Sequence, residues 1–298
     1  LKDYTKNIHI CGDRNSCSKT DNDATFMRLK EDAMGNGQLK PAFNLQHGVV
    51  SEYVTWLTIG PQPTDTTTLI PFLKDAQLSY RQRNKAKWIL TADAGYESEE
   101  NYLFLEKNGQ VAFIKPANYE ISKTRKYKND IGKIDNMNYD EESDTYVCKN
   151  NKRLIVDHIK KGKSKTGYIS EKTVYKCENC CECPYKSECI KGNNCNTPLE
   201  DRTKTLYVAK TFIEKRKEDL ERIISDEGTL YRMNRSIQAE GSFGDIKQDM
   251  KFRRYLSRGT ANVLAESTLL AIARNINKLH NKIQNGRTGT HLFPLKSA

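Results

Sequence analysis

Residues 88–116, WILTADAGYESEENYLFLEKNGQVAFIKP, constrain the fold most. The apolar run ending at Asp93 has the length of a buried strand. A helix pattern follows, with Ser98 placed to cap it, Glu99 and Glu100 at its positive end and Gly109 to close it. QVAFIKP reads as another short strand. Upstream, LKPAFNLQHGVVSEYVTWLTIGPQ alternates apolar and polar side chains and breaks at Gly48 and Gly60, the pattern of a two-stranded antiparallel ribbon. TTTLIPFLKDAQLSYRQ predicts a helix despite Pro71, with Asp65 read as its cap. Strands and helices alternate here, so the expected fold is α/β with a mixed sheet.

The rest of the chain divides by character. Residues 1–36 are polar and turn-rich and read as a linker; 37–118 form the first part of the α/β domain. Residues 119–200 are lysine-rich and weakly periodic, and read as an insertion. From 201 to 283 the chain turns helical, in three stretches: LYVAKTFIEKRKEDLERIIS, TLYRMNRSIQAEGSFGDIK and TANVLAESTLLAIARNINKLH. The last is apolar over most of its surface and is expected to be buried. Residues 284–298 read as a flexible tail.

Lysine and arginine outnumber acidic residues 49 to 38, a net charge of +11 that favours a polyanionic partner, nucleic acid above all. No apolar run approaches the ~20 residues of a membrane-spanning helix, and no phosphate-binding glycine loop supports ATP use. The chain begins at Leu1 rather than Met, which suggests a fragment.

Nine cysteines, an odd number, do not suit an extracellular disulfide framework and point to a reducing cytoplasm. In CENCCECPYKSEC, Cys177, Cys180, Cys183 and Cys189 form a C-x2-C-x2-C-x5-C pattern suited to tetrahedral Zn²⁺; the first three spacings also fit iron–sulfur ligation. Cys181 and Cys195 are substitute ligands. Cys11, Cys17 and Cys148 read as ordinary thiols.

Two carboxylates stand out. Asp93, before Ala-Gly at a strand end, is either an Asx-turn residue or a metal ligand held by a core strand. Glu240 falls on one helical stripe with Met233, Ile237, Gly244 and Lys247; a glutamate among core-facing residues needs a cation or a route to solvent. Lys247, two turns on, is placed to work beside it. A strand-end aspartate and a helical glutamate separated by an insertion suggest two-metal phosphoryl transfer with Mg²⁺ or Mn²⁺. In KQDMKFRRYLSRG, the cations Lys251, Arg253, Arg254 and Arg258 surround Phe252 and Tyr255 and read as phosphate contacts continuing the Glu240 helix. Lys160, Lys161, Lys163 and Lys165 form a second basic patch. His47 reads as structural.

TDNDATFM, LKPAFNLQ, PTDTTTLIPFL, ADAGYESEENY and IQAEGSFGDIKQDMKFRRYLSRG resemble, in order, motifs of DDE transposases of bacterial insertion sequences, in the branch with a cysteine cluster between the second Asp and the Glu. The likeness runs over about residues 20–280. It implies an RNase H-like mixed sheet flanked by helices, with an inserted cysteine-rich subdomain. It also implies an Asp-Asp-Glu triad binding Mg²⁺, and hydrolysis at the element's ends followed by strand transfer into target DNA. The expected partners are double-stranded DNA, at terminal inverted repeats and target, and further copies of the chain on that DNA; the expected location is a prokaryotic cytoplasm, at the nucleoid. The second Asp falls on Asp93 and the Glu on Glu240. Val50 stands where the first Asp is expected, in FNLQHGVV, so this chain is expected to be an inactive fragment; Glu52 shares Val50's strand face. In the family's helix signature Arg precedes Glu by four residues, whereas Arg235 precedes Glu240 by five; Tyr231 precedes it by nine. A non-catalytic, zinc-stabilised DNA-binding remnant that occupies terminal repeats is the rival expectation.

Overall fold

The computed structural model describes residues 2–29, 35–80, 88–192 and 196–289; Cys195 and the tail beyond residue 289 lie outside them. The architecture is mixed α/β, in two compact units: Leu1–Tyr96, Leu103–Ile114 and Arg222–Ala298 form the first, Glu97–Tyr102 and Lys115–Glu221 the second. Among the described residues no helix is long and apolar enough to cross a membrane.

The first unit opens with α1 (Lys2–Cys11) and β1 (Thr25–Arg28), which pairs antiparallel with β2 (Leu39–Ala42). Helix and strand thus occupy part of a segment that reads as turn-rich from sequence. Next, β3 (Asn44–Val50) and β4 (Tyr53–Gly60) form the expected antiparallel ribbon. Helix α2 (Leu69–Tyr80) accepts Pro71 because that residue lies in its first turn, where an N–H has no intrahelical acceptor to lose. Strand β5 (Ile89–Ala92), α3 (Glu99–Lys107) and β6 (Val111–Ile114) follow as read, and the helical crossover leaves β5 and β6 parallel. Ser98 Oγ accepts from Asn101 N–H at 3.1 Å and caps α3. Instead of one mixed sheet, the described strands of this unit are hydrogen-bonded as separate pairs.

The second unit holds the insertion. After α4 (Arg125–Lys128) come β7 (Asn138–Asp140), β8 (Thr145–Val147), β9 (Arg153–Lys163) and β10 (Ile169–Cys177), then α5 (Lys186–Cys189) and β11 (Thr205–Val208). The strands form an antiparallel sheet in the order β11-β10-β9-β8-β7. Its core gathers Met137, Tyr146, Leu154, Tyr175, Leu206 and Val208. Residues 205–208, expected as the start of a helix, are a strand because Leu206 and Val208 alternate into this core. Helix α6 (Lys210–Ile224) begins just after, and its Arg216 pairs with the buried Glu97 at 2.6 and 2.8 Å.

The chain returns to the first unit through α7 (Asp226–Arg235), a π turn over Ser236–Glu240, α8 (Gly241–Gly244), a second π turn over Asp245–Asp249, and α9 (Thr260–Gln284). Gly228 permits the α6–α7 corner: a Cβ there would lie 2.0 Å from the Arg222 carbonyl oxygen. Asp23 accepts from Thr260 N–H at 2.8 Å and supplies the missing cap of α9, while Asp21 accepts from Gly259 N–H at 3.1 Å. Both aspartates, which read as lying ahead of the fold, therefore serve its longest helix.

His47 fixes the Glu240 segment to β3. Its ring stacks on Phe243 with centroids 4.2 Å apart, and Nδ1 lies 3.0 Å from Ser242 Oγ. Burial, helped by the nearby Arg274 charge, depresses the imidazole from its usual 6.5 to about 4. The unfolded chain therefore binds a proton that the folded chain refuses, so this contribution to stability is complete above about pH 6.5 and is lost as pH falls toward 4. Urea midpoints measured from pH 7 to pH 4 are expected to fall across that window, and His47→Phe is expected to flatten the fall.

Candidate active site

The end of β5 and the helix after α7 bring Asp93 and Glu240 to one guanidinium. Phe113 of β6 meets Tyr231 of α7 edge-on, centroids 5.0 Å apart, which seats α7 on this strand pair. Arg235, at the end of α7, then places Nη2 3.5 Å from Asp93 Oδ2 and Nη1 3.5 Å from Glu240 Oε1. The π turn explains the five-residue interval. Hydrogen bonds closing i to i+5 stack residues five apart, as residues four apart stack in an α-helix, so Arg235 and Glu240 share a face. Asp93 makes no Asx turn: its Oδ1 accepts from the N–H of the next residue, Ala94, at 2.7 Å, and its backbone carbonyl closes the turn to Tyr96 N–H, leaving Oδ2 for the arginine.

The glutamate is not a buried charge. Met233 and Ile237 are each 45% exposed and the Glu240 side chain 65%, so the expected inward stripe faces out. The π turns rotate the face, and Ser242 and Ile246 are buried instead. Lys247 lies exposed in the second π turn.

Asp65 is the residue that sequence reasoning misplaced. It makes no side-chain cap; its Oδ1 accepts from Asn44 Nδ2 at 2.8 Å and from Gln46 Nε2 at 3.3 Å. Tyr96 donates to Gln46 Oε1, and burial with the charges of Asp65 and Asp93 pushes that phenol far above its usual range. A Cβ on Gly95 would stand 3.0 Å from Asp65 Oδ2, so the bare glycine lets Asp65 lie against the loop that follows Asp93. The signal in sequence was faint: Asn44, Gln46 and Asp65 are polar residues on elements that read as ribbon and cap.

Val50 stands at the far end of β3. His47 meets Ser242, and the Glu52 turn meets Asp245 through Arg274, so β3 and its turn lie against the segment that carries Glu240. A carboxylate at 50 would lie about 13 Å further along β3 than Gln46. Position 50 itself offers no carboxylate, its valine lying exposed at the last residue of β3. Glu52 is no substitute either. Burial opposes its charge, but Lys282 at 2.7 Å and Lys278 at 3.4 Å hold its carboxyl below the usual range.

Carboxylate oxygens are the hard donors that Mg²⁺ takes, and Asp65, Asp93 and Glu240 supply that chemistry. As the side chains stand, no three acidic, histidine or cysteine groups among the described residues converge on a point that would hold an ion, and Arg235 sits between two of the three carboxylates.

The basic stretch after Asp249 is a loop rather than a continuing helix, with Lys251 at φ 54°. Phe252 and Tyr255 pack edge-on at 5.1 Å, Tyr255 reaches Ser267, and Glu266 accepts from the N–H groups of Leu256 and Ser257. These anchors leave Lys251, Arg253, Arg254 and Arg258 exposed. In the second unit, Cys177, Cys180, Cys183 and Cys189 line one cavity of about 20 Å³, and Cys148, which read as an ordinary thiol, lines it too. Lys204 N–H donates to Cys180 Sγ at 3.4 Å. Cys148 lies at the β8–β9 turn, distant in sequence from the cluster, and only the pairing of β9 with β10 brings it there.

A family model described as a transposase DDE domain matches residues 147–280. Over those residues the chain is similar to the DDE domain of transposases, a class of enzymes that transfer phosphoryl groups on DNA. The matched residues include Glu240 and the cysteine cluster and leave out Asp65 and Asp93. No curated protein and no solved structure matches the chain.

Proposed function

We propose that this protein is a DNA transposase with an RNase H-like catalytic core, cutting at terminal inverted repeats and joining the freed 3′ end to target DNA. The observation that carries this reading is the gathering of Asp93 and Glu240 about Arg235, with Asp65 against the Asp93 turn. A glutamate inside a matched transposase DDE domain thus has an aspartate from a strand end as its neighbour.

Asp65, Asp93 and Glu240 are the residues that would hold Mg²⁺ or Mn²⁺; when bound, such ions activate the attacking oxygen and stabilise the leaving one. Asn44 and Gln46 orient Asp65 by occupying one of its oxygens. Arg235 neutralises Asp93 and Glu240 in the ion's absence, and once released it presents a fork suited to a phosphate. Lys247 flanks the glutamate. Lys251, Arg253, Arg254 and Arg258 contact the DNA backbone without reading bases. The lysines of β9 and its turn, Lys160, Lys161, Lys163 and Lys165, offer a second basic surface, on the second unit. The protein acts as a homo-oligomer on DNA, in a prokaryotic cytoplasm at the nucleoid.

In the second unit we assign Zn²⁺ to the cysteine cavity, drawn from Cys177, Cys180, Cys183 and Cys189 together with Cys148. A shared lining and an N–H bond to one sulfur support this, since thiolate ligands are commonly steadied by such donors.

Mn²⁺-dependent cleavage of terminal-repeat DNA is expected, with Asp93→Ala and Glu240→Ala abolishing it. DNA bound but left uncut by the unaltered chain would overturn the catalytic reading in favour of a binding remnant. Asn44→Ala, which frees Asp65, is expected to weaken Mn²⁺ binding about 10–100-fold in an electron-paramagnetic titration. Metal analysis of protein purified without chelator should find zinc rather than iron, reduced in Cys148→Ser. Arg254→Ala should lower the slope of log affinity against log salt by about one.

A further inference from the structure

Helix α9 has two faces, and the fold uses one of them. Val263, Ser267, Ala271 and Arg274 are buried, with Asn275 bonded to both the N–H and the carbonyl of Val54 on β4. On the opposite side Leu269, Ile272, Ile276, Leu279 and Ile283 are between 46 and 68% exposed. Their intervals are three, four, three and four, the a/d repeat of a coiled-coil seam. The sequence pattern that predicted a buried helix is therefore only half satisfied.

We infer that this seam docks against the same helix of a second copy of the chain, forming a two-stranded coiled-coil contact. Three observations choose that occupant. A strict a/d row of Leu and Ile packs knobs into holes only against a helix with the same row, and this helix itself provides one. The charges of α9 are spent within its own unit: Glu266 accepts from the Leu256 and Ser257 N–H groups, Arg274 pairs with Asp245 at 2.9 Å, Lys278 with Glu52 at 3.4 Å, and Lys282 with Glu52 at 2.7 Å. The positions beside the seam are Thr268, Ala273, Asn275, His280 and Lys282, and the one cation among them, Lys282, is paired with Glu52 of its own unit, so two copies bring no unpaired like charges together at neutral pH. Finally, the other face of α9 is already against its own unit, so the seam is the face left for a partner helix. The exposed seam runs over 15 residues, from Leu269 to Ile283, about 21 Å of helix, or two heptads.

This inference names the surface for the self-association proposed above, and it rests on α9 rather than on the chemistry at Asp93. Analytical ultracentrifugation in high salt without DNA separates the two. The full chain is expected to sediment as a dimer at micromolar concentration. Ile272→Glu combined with Ile276→Glu is expected to give a monomer with unchanged circular dichroism and unchanged Mn²⁺ binding. Leu269→Glu with Leu279→Glu is the second pair, should the first fail to fold. A wild-type monomer throughout the micromolar range, or a dimer that survives both pairs of substitutions, overturns the inference. A wild-type monomer that instead binds neutral lipid vesicles overturns it in favour of a lipid surface.

Discussion

The candidate site depends on one guanidinium. Asp93 and Glu240 come from a strand end and a helix far apart in sequence, and two like charges gathered on one face repel unless a cation stands between them. Arg235 is that cation, placed by the packing of α7 on β6 and turned toward both carboxylates by a π turn. The arrangement is exposed and loosely bonded, each contact being 3.5 Å, which suits the proposed exchange of the arginine for a metal ion. A tight, buried ion pair such as Glu97–Arg216 in the second unit would resist that exchange, because separating it strands a charge away from water.

The first unit is braced at the other end of β3 by a different set of charges. Arg274, almost wholly buried, bonds the Glu52 carbonyl and pairs with Asp245, while Lys278 and Lys282 hold the Glu52 carboxylate. This network ties α9, the ribbon turn and the second π turn together. With His47 stacked on Phe243 midway, it sets the Glu240 segment alongside β3 in one register. That register carries Asn44 and Gln46 to Asp65 and leaves Val50 exposed at the strand's end.

Local patterns were legible where one element answers to its own residues. The strand, helix and strand of residues 89–114 and the 44–60 ribbon follow from apolar runs, a serine cap and glycine stops. Residues 205–208 read as helix because the amphipathic run of α6 begins immediately after them; only the β10 edge, waiting for Leu206 and Val208, makes them a strand. Asp21 and Asp23 looked idle because the N–H groups they cap belong to a helix more than 230 positions away. Cys148 looked ordinary for the same reason.

What the sequence determined by itself was chemistry and class: the Asp93 and Glu240 motifs, the thiols of one loop, the excess of cations and the alternation of α and β. Those depend on residue type and short spacing, which the chain carries locally. Which carboxylate joins Asp93, which face of the Glu240 helix turns inward, and which side of α9 stays apolar and open were decided only in three dimensions. Each is a matter of register between elements distant in the chain, where a π turn or a one-residue shift re-aims a side chain without changing the local pattern.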